Sequence, residues 1–178
     1  MKNNIIGRKS EQDTLARIYE SRQSEFVAVC GRHRVGKTFL VREYFEQEMV
    51  FQTSGLAGGN TQEQLKNFFY TLRRYDKNTT SVPHDWLEAF EMLISYLDSL
   101  NGIERKVIFL DELPWMDTAG SNFISALEHF WNGWASARRD IVLIVCGSAT
   151  SWMMDKLINN HGGLYGRLTH RLFLQPFS

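Results

Sequence analysis

The chain has 178 residues, 43% of them hydrophobic, with 12 Phe, 5 Trp and 6 Tyr. This is material for one domain with a substantial core, and it excludes disorder as the dominant state. Twenty Lys and Arg balance twenty Asp and Glu, which excludes a strongly basic nucleic-acid binder as the default.

Taken in chain order, helix-like and strand-like segments alternate. Ser10 is positioned to cap a helix reaching Glu20, with Leu15, Ile18 and Tyr19 on one face. Phe26–Cys30 is a short continuous apolar run ending at Gly31, the pattern of a strand buried on both faces of a parallel sheet. Lys37–Gln47 reads as a helix and Met49–Thr53 as a second strand, closed by Gly55, Gly58 and Gly59. Helices are expected at Thr61–Tyr75 and Asp85–Leu100, a third strand at Val107–Leu110, a helix at Ser121–Ala135 and a fourth strand at Ile141–Cys146. A helix over Ala149–Ile158 leads through a Gly-rich stretch to a last strand at Arg171–Leu174. Five strands separated by helices imply an α/β fold: an open parallel sheet with helices on both faces.

Gly31-Arg32-His33-Arg34-Val35-Gly36-Lys37-Thr38 matches G-x-x-x-x-G-K-[ST] between an expected strand and an expected helix. In that context the loop amides and the helix N-terminus face phosphates. Lys37 serves as a point charge on the β and γ phosphates, and the Thr38 hydroxyl serves as a magnesium ligand. The nucleotide-binding stretch is Gly31, Arg34, Val35, Gly36, Lys37, Thr38 and Phe39. Asp111 and Glu112 follow the third strand, at the carboxyl end where open sheets bind ligands. Asp111 is expected to hold Mg²⁺ through water, and Glu112 to orient or deprotonate the attacking water.

Together these segments resemble Walker A and Walker B of an AAA+ P-loop ATPase. More narrowly, the chain is similar to the STAND-like "archaeal ATPase" family. Three further segments carry this likeness: Ile5-Ile6-Gly7-Arg8 with Glu11 and Leu15; Asp111-Glu112-Leu113-Pro114-Trp115; and Leu164–Thr169 through Leu174–Ser178. The resemblance implies a P-loop NTPase sheet in the order 5-1-4-3-2, with ATP and Mg²⁺ as cofactors. It places Ile6, Gly7 and Arg8 beside the adenine and makes Ser148 the polar sensor of the γ-phosphate, although capping of the next helix also explains a serine there. It makes Arg167 an arginine finger, with Arg171 as second candidate and structural ion pairing as the alternative. Such a finger acts between subunits, so self-association would place Arg167 in trans.

The resemblance also implies that residues 1–178 are a nucleotide-binding core ending before a helical lid. The output, and any contact with nucleic acid, would then belong to a C-terminal region beyond Ser178. The expected function is an ATP-binding, Mg-dependent ATP-hydrolysing switch. The alternatives are a nucleotide-dependent interaction module with negligible hydrolysis and a P-loop small-molecule kinase.

Other residues have plainer readings. Cys30 and Cys146 end neighbouring strands and read as small, buried, reduced side chains, with no disulfide scaffold or zinc site. Arg138 and Arg139 read as partners of a helix C-terminus. Trp131 and Trp134, if exposed, would mark a partner surface. The start Met1–Asn4 lacks the apolar run of a signal peptide, and no apolar run is long enough to span a bilayer. A cytoplasmic location without membrane contact is expected.

Overall fold

A computed structural model describes residues 5–177. Met1–Asn4 and Ser178, which enter the readings of the start and of the closing segment, lie outside the described residues. The elements are α1 (Lys9–Glu20), β1 (Glu25–Cys30), α2 (Lys37–Tyr44), β2 (Met49–Ser54), α3 (Thr61–Tyr75), α4 (Trp86–Asp98), β3 (Lys106–Asp111), α5 (Leu113–Met116), α6 (Phe123–Gly133), β4 (Ile141–Gly147), α7 (Thr150–Met153) and β5 (His170–Phe173). A 3₁₀ turn (Ala135–Ala137) precedes β4, and a π turn (Met154–Ile158) extends α7. The five strands form one parallel sheet in the order β2-β3-β4-β1-β5. Read from the other edge, this is the expected 5-1-4-3-2.

Every residue of β1, β3 and β4 is buried. Side chains along these strands alternate between two cores, as the strand period of two requires. Phe26, Ala28, Ile108, Leu110, Leu143 and Val145 face a core shared with α3, α4 and α6. Val27, Val29, Val107, Phe109, Val142 and Ile144 face the other, under α1 and α2. The first core is rich in aromatic contacts, with Trp86 edge-on to Phe68 and to Phe123 at centroid distances of 5.6 and 4.9 Å. Such pairs add about 1 kcal/mol beyond area burial.

Local chemistry sets several boundaries. Asn60 and Glu63 form a reciprocal capping box that starts α3, with hydrogen bonds of 2.9 and 3.1 Å. Asp85 caps α4 by accepting from the Glu88 amide at 2.8 Å. The expected cap of α1 by Ser10 is not formed. The helix is capped two residues earlier, at Arg8 in a left-handed conformation. The segment 149–158 is not one continuous helix but a turn of α-helix followed by the π turn.

Cys30 and Cys146 are buried and free, as read from the sequence, while Arg138 departs from its expected role. Cys30 and Cys146 lie on adjacent strands but on opposite faces, in different cores. Burial pushes the Cys30 thiol up to about 11, although Lys37 pulls it back, and pushes Cys146 further still. Trp131 is buried, and Trp134 packs on the core beneath the Arg138 guanidinium, 4.6 Å from its ring centroid. Arg138 does not serve a helix end; it pairs with Asp140 and Asp98 at 2.8 and 2.9 Å.

At the end of the sheet where the strands begin, Arg105 is buried and donates to four backbone carbonyls. These belong to Ile18, Tyr19, Gln23 and Arg139, at 2.7, 3.0, 2.7 and 2.7 Å. Two of them are last-turn carbonyls of α1, which lack the i+4 amide that serves carbonyls inside a helix. Arg105→Ala is expected to lower the unfolding free energy by about 3 kcal/mol in urea denaturation, because it leaves several buried carbonyls unpaired. Nearby, burial alone would raise the Asp140 carboxyl. Hydrogen bonds and charge from Arg138 and Lys106 outweigh this and hold it well below the usual carboxylate range. A depressed carboxylate contributes stability above its unfolded pKa and loses that contribution as pH falls. The stability gap between the natural chain and Asp140→Asn should therefore be full at neutral pH and shrink below about pH 4, as read by acid titration of the denaturation midpoint.

Candidate functional site

The parallel register brings the carboxyl ends of four strands together. Cys30 lies opposite Gly147, Leu110 opposite Val145, and Ser54 opposite Asp111. Gly31, Gly55, Glu112 and Ser148, each the residue after its strand, thus gather along one sheet edge. Residues 31–36 form the loop between β1 and α2, and Gly36 caps α2 with φ 94°, a left-handed conformation that glycine adopts without a Cβ penalty. No side chain caps this helix, so its first-turn amides remain aimed at the loop as an anion-binding terminus.

Lys37 is buried, and its ammonium is held at three points. It donates to Gly31 O and Arg32 O, both at 2.7 Å, and to the Ser148 hydroxyl at 3.2 Å. Ala149 occupies the cap position of α7 without a capping side chain, and Ser148 faces the lysine instead.

The Thr38 hydroxyl donates to Asp111 Oδ2 at 2.6 Å, while Asp111 Oδ1 accepts from the Glu112 amide at 2.8 Å. Both carboxylate oxygens are thereby oriented. A hydroxyl and a carboxylate are hard oxygen donors. They fit a magnesium ion that takes its remaining ligands from phosphate and water. Among the described residues no cluster of three or more His, Cys, Asp or Glu could hold a metal ion by itself. Glu112 stands beside Asp111 in a left-handed conformation, φ 49°, and starts the short helix α5 around Pro114. Close packing fixes it from the β2 side: a Cβ on Gly55 would come within 2.5 Å of Glu112 O.

On the other side of α2 lies an apolar cavity of about 260 Å³. It is lined by Ile5, Ile6, Arg8, Val35, Gly36, Phe39, Leu40 and Phe177. Arg8 organises it. Its guanidinium donates to Val35 O at 2.8 Å, lies 3.5 Å from the Glu11 carboxylate, and stacks 4.3 Å from the Phe177 ring centroid. Gly7 sits against the same ring, where an added Cβ would approach Phe177 to 3.2 Å. Ile6, Phe39 and Phe177 are 88%, 52% and 70% exposed, so three large apolar side chains border one small cavity at the phosphate loop. The sequence assigned no role to Phe177. Its only signal is an aromatic residue after Pro176 in the closing segment.

Arg167 is not brought to this edge. Thr169 donates to Phe26 O at 2.8 Å near the start of β1, so Arg167 is separated from the loop by the length of that strand, on the order of 15 Å. It is exposed, as is Arg171. Among the described residues, no helix is long and apolar enough to cross a membrane.

The AAA domain family model matches residues 20–152. The chain is 26% identical over 172 residues to the uncharacterized protein MJECL04 of Methanocaldococcus jannaschii, covering 97% of this chain and 36% of that protein. Its fold is similar to that of the Walker-type ATPase PABY2304 of Pyrococcus abyssi, with a TM-score of 0.68 at 18% identity, covering 98% of this chain and 55% of that one. It is also similar to the Aeropyrum pernix ORC2 protein, solved in ADPNP and ADP complexes, with a TM-score of 0.69 at 18% identity, covering 97% and 48%. The chain therefore spans about a third of the curated relative and about half of each solved chain. A P-loop sheet in this order, a phosphate loop facing an Asp-Glu pair and a family match over three quarters of the sequence agree: the chain belongs to the AAA domain family of P-loop ATPases.

Proposed function

We propose that this chain is a Mg-dependent, ATP-hydrolysing switch core of the STAND-like kind, with its output in a region beyond these residues and a cytoplasmic setting. The observation that carries the reading is the convergence of Lys37, Thr38, Asp111, Glu112 and Ser148 on one sheet edge, next to an apolar cavity of base-sized dimensions.

Each group has a physical task. The loop amides and Lys37 bind the phosphates of ATP, and the carbonyl and hydroxyl contacts of Lys37 keep its ammonium within the loop rather than in solvent. Thr38 and Asp111 would hold magnesium, which when bound neutralises charge on the phosphate oxygens. Glu112 accepts the proton of the attacking water, and Ser148 reports the terminal phosphate to β4. Ile6, Gly7, Arg8, Phe39 and Phe177 take the base, with Phe177 supplying a flat apolar face.

A second reading, a nucleotide-dependent interaction module with negligible hydrolysis of its own, is favoured by the distance of Arg167 from the loop. That residue reaches a phosphate site only from another copy of the chain, so self-association would set the rate. ATP and ADP are the direct partners, and nucleic acid would be met through the C-terminal region.

Lys37→Ala should weaken ATP binding on the order of 100-fold in calorimetry, whereas Glu112→Gln should keep binding and lose hydrolysis by a factor of about 100 or more. Unchanged affinity in the lysine variant would remove the nucleotide-site reading. Turnover equal to the natural chain in the glutamine variant would leave only the interaction-module reading. Phe177→Ala should weaken binding of ATP and ADP alike by about tenfold, because base stacking does not depend on the terminal phosphate. Fluorescent-nucleotide titration measures both.

A further inference from the structure

The phosphate loop carries more positive charge than its motif requires. Arg32, His33 and Arg34 are consecutive and all exposed, and among the described residues none is in an ion pair. With Val35, Ser148 and Pro176 they line a cavity of about 530 Å³. Ser148 links this cavity to Lys37: it forms part of the wall and accepts from Lys37 Nζ at 3.2 Å. The backbone at Arg34 is left-handed, φ 64°, a conformation that costs a non-glycine residue about 1 kcal/mol. A glycine would avoid that cost, so the long cationic side chain stands at a strained position, as functional side chains often do.

We propose that Arg34, with Arg32 beside it, reads the terminal phosphate of the bound triphosphate within the same chain. The inference rests on the nucleotide site proposed above and gives two arginines of its loop a specific task. A guanidinium is permanently charged and presents a planar fork matched to phosphate oxygens. ADP and ATP share the base, the sugar and the first two phosphates. Cations that meet only the third phosphate therefore discriminate between the nucleotides without strengthening both. Arg167 is too far away to do this in cis, so discrimination is a property of the single chain and precedes any self-association. The competing use of the cavity, as a dock for a carboxylate of a second copy, would make discrimination depend on protein concentration.

The test is calorimetric titration of the natural chain, Arg32→Ala, Arg34→Ala and the double variant with ADP and with a non-hydrolysable ATP analogue, at low and high protein concentration. Thermal melts check that these exposed substitutions leave the fold intact. The natural chain should bind the analogue more tightly than ADP at both concentrations. Arg34→Ala should weaken binding of the analogue about tenfold more than it weakens binding of ADP, and Arg34→Lys should restore only part of that difference. An unchanged preference in the double variant would overturn the proposal. So would equal losses for ADP and the analogue, absence of a preference in the natural chain, or a preference seen only at high concentration. Lys37→Ala separates the two readings. If it binds nucleotide normally, the nucleotide site itself is wrong; if it loses binding while the arginine variants keep their preference, only the present inference falls.

Discussion

The hydrogen bond from Thr38 to Asp111 joins the first turn of α2 to the end of β3, across the intervening strand β4. It can form only because the sheet is parallel and in register, so that strands far apart in sequence deliver their last residues to the same edge. Everything proposed for the nucleotide depends on this constraint. β1 releases the loop, β3 releases the acidic pair, and β4 releases Ser148, each at the same height. The helices on both faces exist to bury those strands, and the burial of whole strands makes the edge stiff enough to hold charged groups at fixed spacing.

That stiffness also explains how a chain of zero net charge keeps a strongly polarised edge. The positive groups, Lys37 and the loop arginines, stand on the β1 side, and the carboxylates of Asp111 and Glu112 stand on the β3 side. The Lys37 ammonium is surrounded by neutral oxygen dipoles rather than by an acid. It is therefore solvated by the protein without being neutralised, and its charge stays available to an anion. The opposite end of the sheet handles charge differently. There Lys106, Arg138, Asp98 and Asp140 are paired directly, an arrangement that stabilises the fold and leaves little field for a ligand.

Much of this was legible in the sequence because the relevant signals are local. The apolar runs at Phe26–Cys30 and Ile141–Cys146 mark strands buried on both faces, and α3 spans Thr61–Tyr75 as its pattern predicts. The phosphate loop and the acidic pair are contiguous motifs. The parts that were not legible depend on contacts between distant segments. Ser10 looks like a cap until Arg8 is seen bound to Val35, which fixes the entry to α1 two residues earlier. Arg138 looks like a helix-end cation until Asp98 and Asp140 appear beside it. Trp134 is half covered because that same arginine lies on its ring. The closing segment marks Phe177 only as an aromatic residue after Pro176; the folding of that segment against Gly7 places it at the cavity.

Helix α1 is tied at both ends to different parts of the molecule. Just before its first residue, Arg8 holds the phosphate loop through Val35 O; at its last turn, Arg105 grips Ile18 and Tyr19 from the start of β3. Twelve helical residues make a rod about 18 Å long between these anchors. Such a rod does not bend easily, and Leu15 and Ile18 are fully packed beneath it. A shift of the loop at Val35 therefore pulls on a strut rather than on a slack connection. The spacing between the phosphate loop and the start of β3 is thereby set by one packed helix rather than by a flexible linker.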